Sequence, residues 1–214
     1  MRQSAVSAFA FDRDARYAMQ QLVENGYAHG LMAGNALATH DLEGGLLHTA
    51  LGQDIYTQQS MPNGHYNHLD VLNLVRQSGS IPQFLEDYHI ENGIMYSVVK
   101  NHVPFVLAGS IRDDGPLPEV IGNAYEAQGR MRALVEKAST VICLATMLHT
   151  IATGNMTPSF RVLPDGTVRQ VYFYCVDVAE FTVNKLSDRG SLSAKGIVTN
   201  VQDFIVNLRK GLGL

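Results

Sequence analysis

Cysteine is scarce in this chain of 214 residues: Cys143 and Cys175 are the two present, each inside an apolar run. Such a pair argues against a disulfide-built scaffold and for buried, reduced thiols. Thiols in mid-strand also argue against a Cys–His nucleophile, because a substrate would struggle to reach them. Excess positive charge is missing as well. Sixteen basic against twenty acidic side chains leave a net charge of −4, so no electrostatic case for nucleic acid exists. Long apolar runs are absent, and the one near the N-terminus, Ala8 to Phe11, is cut short by Asp12, Arg13 and Asp14. Neither a signal peptide nor a membrane span is expected, and a soluble, cytoplasmic protein is. Internal repeats and low-complexity tracts are also lacking. What is present is ordinary for a globular protein: 46% hydrophobic and 17% charged residues argue against disorder. The length suits one generous domain, or a domain with a small appendage.

Periodicity predicts an amphipathic helix over residues 12–25, ending before Gly26, and then a short strand at 30–33. A helix is expected over 36–52. Residues 57–68, with Pro62 and Asn63-Gly64, read as a loop. Helices over 69–78, 80–88 and 91–101 lead to a strand at 103–109, and a helix over 119–138 follows. Further strands are expected at 140–145, 170–177 and 194–199. Leu163-Pro164-Asp165-Gly166 suggests a tight turn or small hairpin before the second of these. Helices over 180–186 and 201–210 complete the pattern, with Asp188-Arg189-Gly190 as a break. Strands alternating with helices imply an α/β fold with a mainly parallel sheet and helices on both faces, since parallel neighbours need crossovers. Residues 1–25 would form a helical extension to a domain spanning 26–214.

The most informative stretch runs from Val103 to Pro118. An apolar strand stops at Gly109 and gives way to Ser110, Ile111, Arg112, Asp113, Asp114 and Gly115. Buried parallel strands deliver polar groups to the carboxyl edge of α/β sheets in this way, and ligands bind there. Folding alone does not ask for an arginine and two aspartates side by side. Asp177 ends another apolar strand. It suits a ribose-binding carboxylate, which would favour NAD over NADP, and equally an N-cap for the next helix. The small-residue turn Gly34-Asn35-Ala36 would let a phosphate approach helix N–H groups, although it lacks G-x-G-x-x-G spacing and a plain tight turn also explains it. His149, just past a strand end, is either a general acid/base or a satisfied rim residue, and Asn155 carries the same ambiguity. His40 with Asp41, and His65 with His68, invite a metal reading. No cysteine or carboxylate cluster completes a coordination set, so no metal is expected.

Several motifs together resemble a known family. They are Gly34-Asn35-Ala36-Leu37-Ala38-Thr39-His40-Asp41-Leu42-Glu43, Asn92-Gly93-Ile94-Met95-Tyr96, the stretch 103–118 and Leu144-Ala145-Thr146-Met147-Leu148-His149. Gly154-Asn155-Met156, Cys175-Val176-Asp177, Lys185 to Ser191 and Gly196-Ile197-Val198-Thr199 follow in the family's order. The chain resembles the C-terminal, NAD-binding half of archaeal ornithine cyclodeaminases and of the cyanobacterial arginine dihydrolase/ornithine cyclodeaminases, also called the LOR/SDH conserved domain. The resemblance implies a Rossmann-like domain, NAD as cofactor, and conversion of ornithine to proline and ammonia by internal hydride transfer. A stand-alone NAD-binding module that needs a partner is the alternative.

On that resemblance Asp177 would hold the ribose, while Asn35, Ala36, Gly109, Ser110 and Ile111 line the dinucleotide. Arg112 would pair with a substrate carboxylate. Asp113 or Asp114 would hold the substrate ammonium or act as base, with His149 and Asn155 as further candidates. The implied partners are an amino-acid substrate and other copies of the chain, with neither nucleic acid nor membrane. Departures from the family pattern are a short region before the first strand, Asn200 where the family commonly has Asp, and an apparent insertion over 160–169.

Overall fold

The computed structural model describes residues 10–188 and 194–214. The start of the expected N-terminal extension, residues 1–9, and the motif residues Arg189, Gly190 and Ser191 lie outside them.

Helix α1 (Arg13–Glu24) opens the described chain, capped by Asp12, whose side chain accepts from the Ala15 N–H. Strand β1 (Leu31–Gly34) leads directly into α2 (Asn35–Leu47). A small hairpin follows, β2 (Thr49–Ala50) with β3 (Gln53–Asp54), then α3 (His65–Ser78), α4 (Ile81–Asp87) and α5 (Ile94–Lys100). Strands β4 (Phe105–Ala108) and β5 (Val120–Ile121) precede α6 (Ala124–Val135). Beyond it come β6 (Thr140–Leu144), α7 (Met147–Met156), the hairpin of β7 (Phe160–Val162) with β8 (Val168–Gln170), and β9 (Tyr172–Asp177). Helix α8 (Glu180–Asp188), strand β10 (Ala194–Val198) and α9 (Val201–Gly211) end the chain.

The major strands are parallel, as the alternating pattern predicts, but they form two sheets of three, ordered β1-β4-β5 and β10-β9-β6. Each is the half-unit from which doubly wound nucleotide-binding folds are assembled. In the first, Gly34 pairs with Ala108, and Ala108 with Ile121, so the strands finish at one edge. In the second, Leu144 pairs with Val176, and Asp177 with Val198.

Three local expectations need correction. The helix after β1 ends at Leu47, where His48 turns left-handed at φ 59°. Leu51 and Gly52, at φ 49° and 74°, then form the positive-φ turn favoured by two-residue hairpin loops. The expected loop over 57–68 is partly helical, because α3 begins at His65. His65 and His68 therefore share its first turn, with rings stacked at 6.0 Å. The helix expected from residue 119 begins instead at Ala124, capped by Asn123, because Val120 and Ile121 pair with β4. The crossover from β4 to the parallel β5 is thus the polar segment 109–119, anchored by the buried Leu117.

The main core joins α1, β1, α2, α3, α4, α5 and β4, and includes Leu37, Leu42, Leu72, Phe84, Ile94, Met95 and Leu107. Helix α1 is built into it. Arg16, almost fully buried, places Nε 2.7 Å from Asp41 Oδ1. The same carboxylate accepts the Ile94 and Met95 N–H groups at the start of α5. Arg16 also donates to the Asn92 side chain and backbone, so one guanidinium ties α1, α2 and the approach to α5 together. Gly93, at φ 104°, is where this network demands glycine, since a Cβ there would overlap Arg16.

Candidate functional site

The carboxyl ends of the two sheets meet. A side chain on Gly34, the last residue of β1, would come within 3.7 Å of the His149 ring in the first turn of α7 and 3.8 Å of the Ala108 carbonyl. Gly34 is also the N-cap residue of α2 and offers no side-chain hydrogen bond, so the first N–H groups of that helix are left for another acceptor. Gly109 is similarly confined: a Cβ would lie 3.3 Å from the Ile121 carbonyl. Small residues therefore keep this rim low at both positions.

Asn35 is buried and acts as a clip. Its Nδ2 donates to the Gly115 carbonyl and its Oδ1 accepts from Leu117 N–H, both at 3.0 Å. The side chain is thereby committed to holding the 109–118 loop, and only its main chain, with that of Ala36, is left to meet a ligand at the helix start. Within the loop Asp113 accepts the Ser110 N–H at 2.8 Å, and Ser110 Oγ accepts the Arg112 N–H. Ile111 and Arg112 are exposed, Ile111 completely.

Asp177 is buried at the end of β9. Its Oδ1 accepts the Ala179 N–H at 2.9 Å, a capping contact ahead of α8, and Thr199 N–H reaches its carbonyl. One carboxylate oxygen thus serves the backbone and the other remains for a ligand. His149 is half-buried, and burial lowers its pKa from the ordinary 6.5, which favours neutral imidazole. Asn155 is exposed near the far end of α7, about 12 Å along the helix from its start, away from the rim. Burial pushes the Cys143 thiol up to about 12 and raises Cys175 as well, so both are inert.

One cluster is not legible in the sequence. His40 and Glu43 on α2 meet His68 on α3, with one ligand atom from each lying within 4.8 Å of the others. A carboxylate does therefore join the two imidazoles, contrary to the expectation that none would. Glu43, fully buried, accepts from Thr49 Oγ1, Leu51 N and Gly52 N, and lies 3.2 Å from His68 Nδ1. Burial works to raise the Glu43 pKa, but His40, His68, Thr49 and Gly52 outweigh it and hold the group well below the carboxylate range. Those donors occupy both oxygens, so the set is bonded as a hydrogen-bond network rather than open for coordination. His68 Nε2 faces Asp114 Oδ2 at 3.6 Å, which links the cluster to the loop after β4. The i,i+3 spacings of His40 with Glu43 and of His65 with His68 were the available signals. Their meeting depends on how α2 packs on α3.

Two parallel triads with meeting carboxyl edges and an open helix N-terminus define the Rossmann class of nucleotide-binding folds. Residues 6–208 match the profile of the C-terminal Rossmann-fold domain of arginine dihydrolase ArgZ-like proteins, and the chain belongs to that family. It is 47% identical over 191 residues to the ornithine cyclodeaminase of Methanocaldococcus jannaschii, covering 89% of this chain and 43% of that protein. It is 44% identical over 187 residues to the bifunctional arginine dihydrolase/ornithine cyclodeaminase ArgZ of Synechocystis sp., covering 87% of this chain and 25% of ArgZ. The crystal structure of a LOR/SDH protein from Methanococcus maripaludis superposes with a TM-score of 0.87 at 42% identity, covering 96% of this chain and 58% of that one. That of AgrE in ternary complex with ornithine and NAD⁺ superposes with a TM-score of 0.81 at 41% identity, covering 92% and 27%. The chain thus spans less than half the length of these curated relatives.

Proposed function

We propose that this chain is the nucleotide-binding part of an ornithine cyclodeaminase, which holds NAD on the shared rim and acts on ornithine or a related diamino acid. The observation that carries the reading is the approach of Gly34 and the His149 ring, which joins the open start of α2 to the second sheet. The residues present suit an adenine dinucleotide. N–H groups at Asn35 and Ala36 would meet the pyrophosphate. Asp177 would accept the ribose hydroxyls, and Gly109, Ser110 and Ile111 would line the cofactor. When bound, NAD supplies the hydride acceptor and donor. Arg112 has the charge and fork geometry to pair with an amino-acid carboxylate. Asp113 and Asp114 offer carboxylates for an ammonium or its proton, and a neutral His149 would be able to accept a proton. The named relatives, and AgrE bound to ornithine and NAD⁺, support the assignment.

Mass analysis of nucleotide released from the denatured protein is expected to find NAD; finding none after incubation with NAD⁺ overturns the cofactor reading. Incubation with NAD⁺ and L-ornithine is expected to yield proline and ammonia without NADH accumulating. Accumulating NADH would indicate a simple dehydrogenase instead. The alternative reading is an NAD-binding module that turns over only with a partner; NAD bound without proline formed from ornithine would favour it. Among the described residues no helix is long and apolar enough to cross a membrane. A cytoplasmic enzyme fits that finding and the pair of reduced thiols. Exposed Ile142, Leu148, Phe160, Val162 and Val168 on the second half support self-association, for which sedimentation should show more than a monomer.

A further inference from the structure

We propose that Asp114, backed in sequence by His68 and Glu43, is the proton acceptor of this site, and that Asp113 instead shapes the loop. The inference rests on the amine-substrate reading above and deepens it.

The chain of contacts starts in the core. Glu43 is held ionised by the Thr49 hydroxyl and the Leu51 and Gly52 N–H groups, and an ionised carboxylate can only accept. Its 3.2 Å contact therefore fixes the proton of neutral His68 on Nδ1. The other nitrogen, Nε2, is then a lone pair, and it faces Asp114 Oδ2 at 3.6 Å. A lone pair opposite a carboxylate oxygen repels; one added proton between them turns the contact into a charge-assisted hydrogen bond. The pair is built to receive a proton. Asp114 is 46% exposed on its other side, so it can reach a substrate while its back rests on His68. Asp113, by contrast, has Oδ2 engaged by the Ser110 N–H.

The proton has one destination. His40 is packed against His68, with ring centroids 4.9 Å apart, and against Phe11 at 4.8 Å. Its buried Nδ1 lacks a hydrogen bond among the described residues and lies 3.7 Å from Glu43 Oε2. Burial lowers the His40 pKa more than Glu43 raises it, so this ring stays neutral. Other charged groups lie near the His68–Asp114 pair: Arg76, on the same helix as His68, reaches the loop beside Asp114, with Nη1 3.2 Å from where a Cβ on Gly115 would lie. His65 stacks on its own helix, Arg16 and Asp41 pair with each other, and Asp87 on α4 accepts from Ser78 at the far end of α3. In the proposed step a substrate ammonium N–H gives its proton to Asp114. His68 Nε2 receives it, leaving a neutral amine, an imidazolium and two carboxylates. Asp114 is the catalytic residue, while His68 and Glu43 are positioning residues, an arrangement in which one carboxylate orients an imidazole that serves a second group.

Histidine ring ¹⁵N chemical shifts of the whole protein, titrated from pH 8.5 to 5, test the relay without turnover, with His68→Gln assigning the resonance. His68 is expected as the Nδ1–H tautomer, with a ring ¹⁵N shift pattern that changes in Asp114→Asn. It should stay in place in Asp113→Asn. Asp114 is about half exposed on a surface loop, so its substitution is expected to keep the fold, which amide spectra verify. An unmoved His68 in Asp114→Asn, a shift caused by Asp113→Asn instead, or joint loss of the His40 and His68 signals on adding one equivalent of Zn²⁺ each overturns the relay. In turnover of L-ornithine with NAD⁺, Asp114→Asn should lower kcat at least 100-fold. His68→Gln should lower kcat about tenfold with KM little changed. Failure of the wild-type protein to turn over ornithine defeats the substrate reading, while the ring titration still decides the relay.

Discussion

The two halves of the molecule, each with one parallel sheet, use strands of the same kind and are packed very differently. The β1-β4-β5 half sits on one continuous core running from Ala10 to Leu117. The β10-β9-β6 half rests on small separate clusters, such as Val141, Cys143 and Phe173, or Ala145, Val176 and Val201. Polar groups follow the same division. In the first half Arg16, Asn35, Asp41, Glu43 and His68 are buried and bonded across elements. In the second, apolar Ile142, Leu148, Phe160, Val162, Val168 and Phe181 are exposed. Buried, satisfied polar networks specify position, because every alternative arrangement leaves a costly unpaired group. The lesson is that the rim has one wall held to a fixed geometry and one wall with fewer constraints. Backbone amide exchange should accordingly be slower throughout α2, α3 and β4 than in β7 and β8.

The harshest way to break this comparison is Asp41→Ala. It strands a buried guanidinium and exposes the Ile94 and Met95 N–H groups, so urea denaturation should show a loss of about 3–5 kcal/mol. A loss under about 1 kcal/mol, typical of exposed pairs, would remove the claim that this network anchors the first half. Next is Gly52→Ala. Gly52 has φ 74° and its Cβ would overlap the Gly64 backbone, while its N–H holds Glu43. About 2–3 kcal/mol should be lost, read from the thermal midpoint. Asn35→Ala releases the loop from both ends of its clip and should cost about 1–3 kcal/mol. NAD affinity, measured by calorimetry, should weaken with it; unchanged affinity would separate the loop from the cofactor.

Acidification sharpens the contrast further. The folded pKa of His40 lies below the ordinary 6.5, so the unfolded chain takes up that proton first. Stability is full above 6.5 and declines as the pH falls below it. The lowered Glu43 pKa adds a second decline once the pH falls below the ordinary 4.5. Urea midpoints across this range should fall in both windows, and His40→Gln should abolish the upper contribution from that ring. The smallest effect is expected on the other half, where Val168→Thr, at an exposed hairpin position, should stay within about 0.5 kcal/mol.

Much of this architecture is legible in the residues. The apolar runs ending at Gly34, Gly109 and Asp177 mark strands that do finish at the sheet edges, and the polar residues after Gly109 mark the loop that Asn35 holds. Those signals are local: runs of apolar side chains, a glycine, a charge. Strands as brief as β2, β3 and β5 carry too few residues for a period to be seen, so helical periodicity in the sequence runs on across β2 and β5.

Residue order and chemistry by themselves settle the α/β class, the parallel strands, the family, and the loop on which the polar groups gather, because each is written in short-range patterns. The meeting of Glu43 with His68 and Asp114, the use of Asn35 as a clip, and the division between a tightly bonded wall and a looser one belong to the folded chain alone. They join residues far apart in the sequence, and the physical reason is geometric. Helix packing chooses which faces touch, and no spacing along a single element encodes its neighbour.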